Sequence, residues 1–340
     1  MLILMKSSPT KEQVDGVIAK IKSMGYSAHL IPGEHDVAIG ITGNQGALSG
    51  EDFALLPGVK ETIPVTKAYK LAGRTFKNSD TSFTVGGATF GPGHFVVIGG
   101  PCAVESEDQT VRIAKAVKAG GASMLRGGAY KPRSNPYSFR GLGLDGLKIL
   151  ATARKETGLP VITEALDLES LEKVYEYADV IQIGTRNMQN FSLLEAAGKL
   201  DKPVMLKRGM SATIEEWLQA AEYILSGGNS KLILCERGIR SFDTNTRNMV
   251  DLGGLLAVRQ LSHLPVCVDP SHGTGKRTMV APMSRAALAV GANSVIIDVH
   301  DRPKEALCDG PQAILPEEFA DLVRVLRLLA APLGLHVSGS

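Results

Sequence analysis

From His94 onward, short continuous apolar runs alternate with amphipathic segments along the chain. Continuous apolar runs of this length are typical of strands buried on both faces, and the intervening 3.6-residue periodicity predicts helices. The predicted strands lie at 95–99, 122–126, 160–164, 179–183, 203–207, 231–235, 265–269 and 294–298. The predicted helices lie at about 106–119, 144–157, 168–177, 190–198, 213–226, 250–262, 280–290 and 316–331. Eight strands and eight helices in roughly 240 residues indicate a (β/α)8 TIM barrel over residues 94–340.

An open, doubly wound sheet is the competing fold. It would carry a Gly-rich turn of the form G-x-G-x-x-G after its first strand, to bind a dinucleotide. The first barrel strand is instead followed by GGPCAVES. The motif and the eightfold count therefore both favour the barrel.

Residues 1–70 follow a different pattern. LILMK, SAHLI, DVAIGITG and ETIPVTKAY read as strands, while Thr10–Met24 and GEDFALLP read as helices. The order βαββαβ predicts a small ferredoxin-like α+β domain. Residues 71–93 are rich in Gly, Thr and Ser, and their Gly-Gly and Gly-Pro pairs indicate a linker with a short hairpin. The predicted fold class is thus α/β, with a small α+β domain before the barrel.

Composition narrows the classes of function. Apolar residues make up 44% and charged residues 21% of the 340 residues, with a formal net charge of +2, so overall charge does not favour nucleic acid as a partner. No apolar run reaches the length of about 18 residues that a membrane helix needs. The first residues resemble a strand more than a signal peptide. Four cysteines do not make a disulfide framework, so we expect a cytoplasmic protein.

Charged residues follow the apolar runs. The carboxyl ends of barrel strands meet on one face, so we expect these side chains to converge there. So many cations in one place predict a ligand with several negative charges, because Arg and Lys bind phosphates and carboxylates. The cationic residues are Arg126, Lys131, Arg133, Arg186, Lys207 and Arg237.

A second group on the same face suits a metal ion. Cys102, His272, Asp298 and Asp309 supply a thiolate, an imidazole and two carboxylates, a mixture that favours a divalent first-row metal over calcium or magnesium. Glu164, at the end of the third strand, is either a counter-ion for the lysines or a proton donor or acceptor.

The motifs GGPCAVES, RGGAYKPRSNPYSF, IQIGTRN, VMLKRG, ILCERGIRSF, DPSHG and ALCDG together resemble the 3-deoxy-D-arabino-heptulosonate 7-phosphate (DAHP) synthase family, in the subgroup with an N-terminal ferredoxin-like domain. The resemblance implies condensation of phosphoenolpyruvate with erythrose 4-phosphate, the first step of the shikimate pathway. Two alternatives stay open. One is 3-deoxy-D-manno-octulosonate 8-phosphate synthase, in which an Asn separates Lys and Arg where this chain has KPRS. The other is a non-catalytic barrel that partners a chorismate mutase.

The resemblance also assigns roles to residues. It places phosphoenolpyruvate at Arg126, Lys131, Arg186, Lys207 and Arg237. It places erythrose 4-phosphate at Pro132, Arg133, Ser134 and Asp309. It makes Cys102, His272, Asp298 and Asp309 ligands of a divalent ion, with Mn²⁺ preferred over Fe²⁺, Co²⁺ or Zn²⁺. Lys131 is expected to protonate the new alkoxide, with His272 or a metal-bound water as rivals, and Glu164 to help deliver the attacking water.

Two residues depart from the family pattern. Asp298 stands where the family has Glu, so the metal site must adjust, and His300 is a candidate to compensate. Thr185 stands beside Arg186 in place of Ala, with little expected effect.

The N-terminal domain of this subgroup suggests control by an aromatic amino acid. His29, on the second strand, is the residue we place nearest such an effector, although Ile31 on the same strand face fits one poorly. We also expect a homo-oligomer, either a dimer or a tetramer.

Overall fold

The computed structural model describes residues 1–32, 37–44, 48–63, 69–133 and 135–339. The chain divides into two compact units. The first comprises residues 1–79 together with 260–263, and the second comprises residues 80–259 together with 264–340. The first unit thus continues past residue 70, into part of the segment predicted as a linker.

In its described residues, the first unit is a four-stranded antiparallel sheet with two helices. Its strands follow the order β2-β3-β1-β4 in the sheet. The elements in chain order are β1 (Leu2–Met5), α1 (Lys11–Ser23), β2 (Ser27–Pro32), β3 (Val37–Thr42), α2 (Glu51–Ala54) and β4 (Val59–Ile63). The predicted ferredoxin-like order is confirmed. The final predicted strand, 61–69, in fact begins at Val59, and its residues 64–68 lie outside the described part of the chain.

Helix α1 illustrates why this unit folds as it does. Thr10 and Gln13 form a reciprocal capping box that satisfies backbone donors at the start of the helix. Val14, Val17 and Ile21 recur at helical spacing and are buried in a core with residues of the sheet. The apolar stripe of the helix therefore fixes its orientation on the sheet.

The second unit begins with a hairpin and continues as a closed barrel. The hairpin consists of β5 (Phe83–Val85) and β6 (Ala88–Phe90), joined by two glycines with positive φ, as a tight turn requires. The barrel strands are β7 (His94–Gly100), β8 (Met124–Arg126), β9 (Val161–Ala165), β10 (Val180–Ile183), β11 (Val204–Lys207), β12 (Leu232–Glu236), β13 (Val266–Val268) and β14 (Ser294–Asp298). All are parallel, and β14 pairs with β7 to close the barrel. The predicted TIM barrel is confirmed.

Helices follow the strands as predicted. They are α3 (Glu107–Ala119), α4 (Leu144–Thr157), α5 (Leu168–Tyr177), α6 (Phe191–Gly198), α7 (Ile214–Ser226), α8 (Leu252–Leu261), α9 (Pro270–Thr274), α10 (Arg277–Ala289) and α11 (Pro316–Ala330). The short α9 was not predicted. It forms because the Asp269 side chain caps the backbone N–H of His272 and Pro270 occupies the first helical position. A last short strand, β15 (His336–Val337), pairs with β7.

The hairpin fills one end of the barrel. Val85, Ala88 and Phe90 are buried in one apolar cluster with residues of the barrel strands, including Val96 and Ile98 of β7. Cys235 and Cys267 belong to the same buried cluster. The opposite end, where the strands terminate, carries the charged residues. Among the described helices, none is both long and apolar enough to cross a lipid bilayer.

Candidate active site

A cavity of about 280 Å³ lies at the carboxyl ends of the barrel strands. Of the described residues, seven cationic side chains line it, against the two carboxylates of Glu164 and Asp309. The cationic residues are Arg126, Lys131, Arg133, Arg186, Lys207, Arg237 and Arg247. The six cations predicted from the sequence therefore converge, and Arg247 joins them. This excess of positive charge suits a polyanionic ligand.

Three of these cations are held in buried positions. Arg126, Lys207 and Arg237 are each about 4 to 5% exposed, at or just after the ends of β8, β11 and β12. A buried charge needs a partner. Lys207 Nζ lies 2.6 Å from Asp269 Oδ2, and Arg126 forms an ion pair with Asp298. Burial lowers the pKa of Arg237, and the charges of Arg247 and Arg186 act in the same direction. Arg186 is exposed, at the mouth of the cavity.

The loop after β8 brings Lys131 onto Cys102. The backbone N–H of Lys131 donates to Arg140 O at 2.9 Å, which folds the loop back on itself. Lys131 Nζ lies 3.0 Å from both Cys102 Sγ and Cys102 O. Burial opposes the charge on Lys131, but the Cys102 thiolate, followed by Cys308, outweighs it and raises the pKa of Lys131. Lys131 is therefore charged and lies at the edge of the Cys102 cluster.

Two other residues predicted to bind the sugar phosphate, Pro132 and Arg133, lie in the same loop after β8, whereas Asp309 lies after β14. Pro132 and Arg133 line the cavity, and Arg133 Nη1 lies 2.7 Å from Cys308 Sγ. Ser134 lies outside the described residues.

The predicted metal ligands lie together. Cys102 Sγ is 3.6 Å from His272 Nε2 and 3.2 Å from Asp309 Oδ2. His272 Nε2 is 3.6 Å from both Asp298 Oδ2 and Asp309 Oδ2. Metal–ligand bonds of about 2.0 to 2.3 Å would place the ligand atoms of a tetrahedral site about 3.3 to 3.8 Å apart. The ligand atoms lie within 4.8 Å of one another in two overlapping groups, Cys102, His272 and Asp298, and Cys102, Cys308 and Asp309. The thiolate, imidazole and carboxylate donors of these groups fit a divalent first-row ion.

The protonation state of Cys102 suits a metal, whereas His272 retains a proton that an ion would have to displace. The Cys308 thiol, 3.6 Å from Cys102 Sγ, holds the pKa of Cys102 well below its ordinary value, and Lys131 and His272 act in the same direction against burial. The thiolate is the form that binds metals. Asp269 Oδ2 lies 2.9 Å from His272 Nδ1, which fixes the ring so that Nε2 faces the cluster. Burial disfavours charge on His272, but Asp269 and Asp309 outweigh it and raise the pKa of His272.

Asp298 reaches the cluster despite its shorter side chain. It is about 1% exposed, and its Oδ2 accepts a hydrogen bond of 2.6 Å from Gln312 Nε2. His300 does not compensate for the shortening, contrary to the expectation from the sequence. Its Nε2 instead lies 3.2 Å from Gln109 Nε2 and 3.6 Å from Glu105 Oε2.

Glu164 faces the cavity from the end of β9. Its Oε2 accepts a hydrogen bond of 3.2 Å from Gln182 Nε2, and it is about 9% exposed. Gly184 packs directly against its carboxylate, so that any side chain at position 184 would displace it. Glu164 is thus held at the cavity wall by Gln182 and Gly184.

Several site residues were missed from the sequence. Gln182 interrupts an otherwise apolar strand, which could have indicated a polar side chain facing the barrel interior. Asp269 opens the DPSHG motif, immediately after a strand, and could have been found there. Arg247 lies in the irregular segment between β12 and α8, where no periodicity singles it out.

His29 belongs to the first unit. Its Nε2 lies 2.7 Å from Thr42 Oγ1 on the neighbouring strand, and burial lowers its pKa.

The closed parallel barrel and its cation-lined cavity beside a thiolate, an imidazole and carboxylates define a TIM-barrel enzyme with a site for phosphorylated ligands. Residues 76–330 match the profile of the DAHP synthetase I family, and residues 1–67 match the DAHP synthase ferredoxin-like domain. The chain belongs to the DAHP synthetase I family, whose members are aldol-type enzymes that form C–C bonds. The resemblance drawn from the motifs is confirmed.

Similar proteins agree with this assignment. The chain is 46% identical over 338 residues to the phospho-2-dehydro-3-deoxyheptonate aldolase of Thermotoga maritima, covering 99% of this chain and 100% of the relative. A crystal structure of that DAHP synthase matches with a TM-score of 0.79 and 45% identity, over 99% of both chains. A truncated form from the same organism matches 80% of this chain and 100% of its own, with a TM-score of 0.75 and 48% identity.

A more distant group shares the barrel region. The 2-dehydro-3-deoxyphosphooctonate aldolase of Syntrophobacter fumaroxidans is 32% identical over 262 residues, covering 72% of this chain and 90% of the relative.

Proposed function

We propose that this protein condenses phosphoenolpyruvate with erythrose 4-phosphate to give DAHP and inorganic phosphate. The observation that carries the proposal is the cavity in which seven cations adjoin two overlapping groups of possible metal ligands, Cys102 with His272 and Asp298, and Cys102 with Cys308 and Asp309. Two phosphates and a carboxylate must be neutralised in this reaction, and an aldehyde must be activated beside them. The full-length similarity to the heptulosonate enzyme supports the same substrates.

Phosphoenolpyruvate is assigned to the deeper part of the cavity. Lys207, Arg237 and Arg126 are the buried cations there, and Arg186 completes the set at the mouth. The planar guanidinium groups can donate paired hydrogen bonds to phosphate or carboxylate oxygens. Lys207 adds a single positive charge, which its ion pair with Asp269 holds in position. These groups hold the carboxylate and stabilise the negative charge that develops on the phosphate as its bond to C2 breaks.

Erythrose 4-phosphate is assigned to the side nearer the loop after β8. Pro132 and Arg133 line the cavity there, Ser134 is the remaining predicted contact, and Asp309 lies next to Cys308, which Arg133 contacts. The aldehyde would lie toward Cys102 and His272, and the phosphate toward Arg133.

Cys102, His272, Asp298 and Asp309 are the residues that would hold a divalent ion, with Mn²⁺ preferred. When bound, such an ion supplies Lewis acidity to a substrate oxygen. The chain contributes a preformed thiolate at Cys102 and a ring at His272 oriented by Asp269. Binding would release the proton that the raised pKa of His272 retains.

Lys131 is the residue we assign to proton delivery. C3 of phosphoenolpyruvate attacks the aldehyde carbon, and the oxygen that becomes an alkoxide takes a proton. Lys131 Nζ, charged and 3.0 Å from Cys102 Sγ, is placed beside the cluster where that oxygen would lie. Water then adds at C2 and phosphate leaves. Glu164, fixed by Gln182, is the group positioned to orient that water.

The test is phosphate release from phosphoenolpyruvate with erythrose 4-phosphate or with arabinose 5-phosphate, each with and without EDTA. We expect turnover with the four-carbon sugar, loss of turnover in EDTA, and recovery on adding Mn²⁺. A preference for arabinose 5-phosphate would assign the chain to the octulosonate reaction. No turnover with either sugar in the metal-loaded protein would favour a non-catalytic barrel.

The first unit is proposed to bind an aromatic amino acid and to regulate the enzyme, with His29 at the effector site. The neutral, half-buried ring of His29 is the supporting feature. Full-length protein should be inhibited by tyrosine or phenylalanine, and His29→Ala should weaken that inhibition while the exposed control His336→Ala should not. Equal inhibition of all three proteins would place the effector elsewhere. Assembly as a dimer or tetramer and a cytoplasmic location stay predictions.

A further inference from the structure

Arg247 lines the same cavity as the proposed substrate-binding cations. We propose that Arg247 is a second arginine, besides Arg133, that binds the phosphate group of the aldose phosphate. The inference rests on the proposed function and adds a specificity-determining residue to it.

The first support is position. Arg247 Nη1 lies 3.1 Å from Asp309 Oδ1 and 3.1 Å from Gln312 Oε1. Asp309 Oδ2 faces Cys102, and Gln312 donates to Asp298. The guanidinium thus lies one side chain away from the cluster toward which the aldehyde would point. A sugar of four carbons is short, so its phosphate must lie close to the same cluster.

The second support is the pairing with Arg133. Arg133 contacts Cys308 from the loop after β8, while Arg247 contacts the adjacent Asp309 from the segment after β12. Two guanidinium groups from different loops therefore lie beside neighbouring residues. This arrangement allows both to donate hydrogen bonds to one phosphate.

The third support is the available hydrogen-bonding capacity. Both contacts of Arg247 with described residues use Nη1, so Nη2 and Nε can donate to a ligand. The side chain is 38% exposed, and an ion pair as exposed as this one contributes little to stability. Its guanidinium also adds to the charges that lower the pKa of Arg237. An anionic ligand beside Arg247 would reduce the repulsion among these cations, and phosphoenolpyruvate is already assigned to the buried ones.

The experiment compares Arg247→Gln and Arg247→Lys with the control Arg240→Gln. Arg240 is exposed on the same segment and does not line this cavity. Arg247→Gln should raise the KM for erythrose 4-phosphate by about tenfold to a hundredfold, as expected for loss of a charged hydrogen bond. The KM for phosphoenolpyruvate should stay within about twofold. Arg247→Lys should recover part of the loss, and Arg240→Gln should behave as the wild type.

A binding measurement makes the test independent of turnover. Erythritol 4-phosphate lacks the aldehyde and cannot condense, so calorimetry in the presence of phosphoenolpyruvate reports its affinity directly. Arg247→Gln should weaken binding of erythritol 4-phosphate, whereas neither protein should bind unphosphorylated erythritol measurably.

An unchanged KM for erythrose 4-phosphate and unchanged analogue binding in Arg247→Gln would overturn the proposal. A fall in kcat and in bound metal with both of these unchanged would also overturn it, because Arg247 would then only order Asp309 and Gln312. Failure of the proposed function itself would appear separately, as wild-type protein that releases no phosphate from the two substrates.

Discussion

The Asp298 side chain contacts both the anion site and the proposed metal site. It forms a buried ion pair with Arg126 and accepts a hydrogen bond from Gln312, while its Oδ2 stays 3.6 Å from His272 Nε2. Its negative charge therefore neutralises a cation of the anion site as well as contributing to the proposed metal site. Arg126 and Gln312 hold this shorter carboxylate beside His272.

Asp298→Asn should both destabilise the protein and weaken metal binding. The substitution keeps the shape but leaves Arg126 buried without a charged partner, which costs about 3 to 5 kcal/mol. Urea unfolding and the metal content of the purified variant measure the two effects. Asp321→Asn, which breaks an exposed pair with Arg324, is the matched control and should unfold as the wild type does. Wild-type stability in Asp298→Asn would show that Arg126 does not depend on this carboxylate.

His29 should make the protein less stable in mild acid. Its pKa is lowered by burial from the ordinary 6.5, so above that value the ring is neutral in both the folded and unfolded states. As the pH falls through 6.5 toward the lower folded pKa, the unfolded state takes up a proton first, and stability is lost. His29→Gln should remove this loss. Unfolding curves at about pH 7.5 and about pH 5.5 measure it. An identical pH dependence in both proteins would contradict the prediction.

At the scale of elements, the backbone at the end of β10 lies close against the side chain of Glu164. Gly184 separates the strand from a short 3₁₀ turn at Thr185–Asn187 and leaves room for the Glu164 carboxylate. This 3₁₀ turn also brings Arg186 to the mouth of the cavity. The proposed orientation of water by Glu164 and the proposed anion binding by Arg186 thus both depend on the absence of a side chain at position 184.

Gly184→Ala should lower kcat strongly without unfolding the barrel. A methyl group would displace Glu164 and shift the turn that carries Arg186, and misplacement of about 1 Å in a catalytic site costs about a hundredfold in rate. Steady-state kinetics and circular dichroism separate the loss of activity from loss of fold. The control is Gly16→Ala in α1, where nothing lies within 4 Å of the added methyl group. That change should stabilise the helix by about 0.5 to 1 kcal/mol. Normal kcat in Gly184→Ala would refute the role given to the close approach.

The elements were largely predictable because each barrel strand is a continuous apolar run. Val204–Lys207 shows the reason: its residues are all buried, and the run ends at the charged Lys207. The helix α9 was not predictable from periodicity, because five residues are too few to show it and the cap at Asp269 decides its formation. Arg247 was missed for a similar reason. Its place in the cavity depends on contacts with Asp309 and Gln312, which are distant in sequence.

At the scale of the whole molecule, the charged residues proposed to bind substrates and metal belong to the second unit. The proposed substrate and metal residues all lie between 102 and 309, within residues 80–259 and 264–340. The first unit contributes its own core around Ile3, Ile21 and Ile39. The two units thus have separate cores, which is consistent with separate catalytic and regulatory roles.

The hairpin of β5 and β6 also constrains the kinetics. Phe90 and its neighbours fill the far end of the barrel, so substrates enter the described cavity from the carboxyl ends of the strands. The substrate that binds deepest must therefore bind before the second substrate occupies the mouth of the cavity. The buried Lys207 and Arg237 are deep, whereas Arg247 is at the mouth. Addition of substrates should therefore be ordered, with phosphoenolpyruvate first. In initial-rate measurements, erythritol 4-phosphate should inhibit uncompetitively against phosphoenolpyruvate, whereas competitive or mixed inhibition would indicate that the second substrate does not need the first.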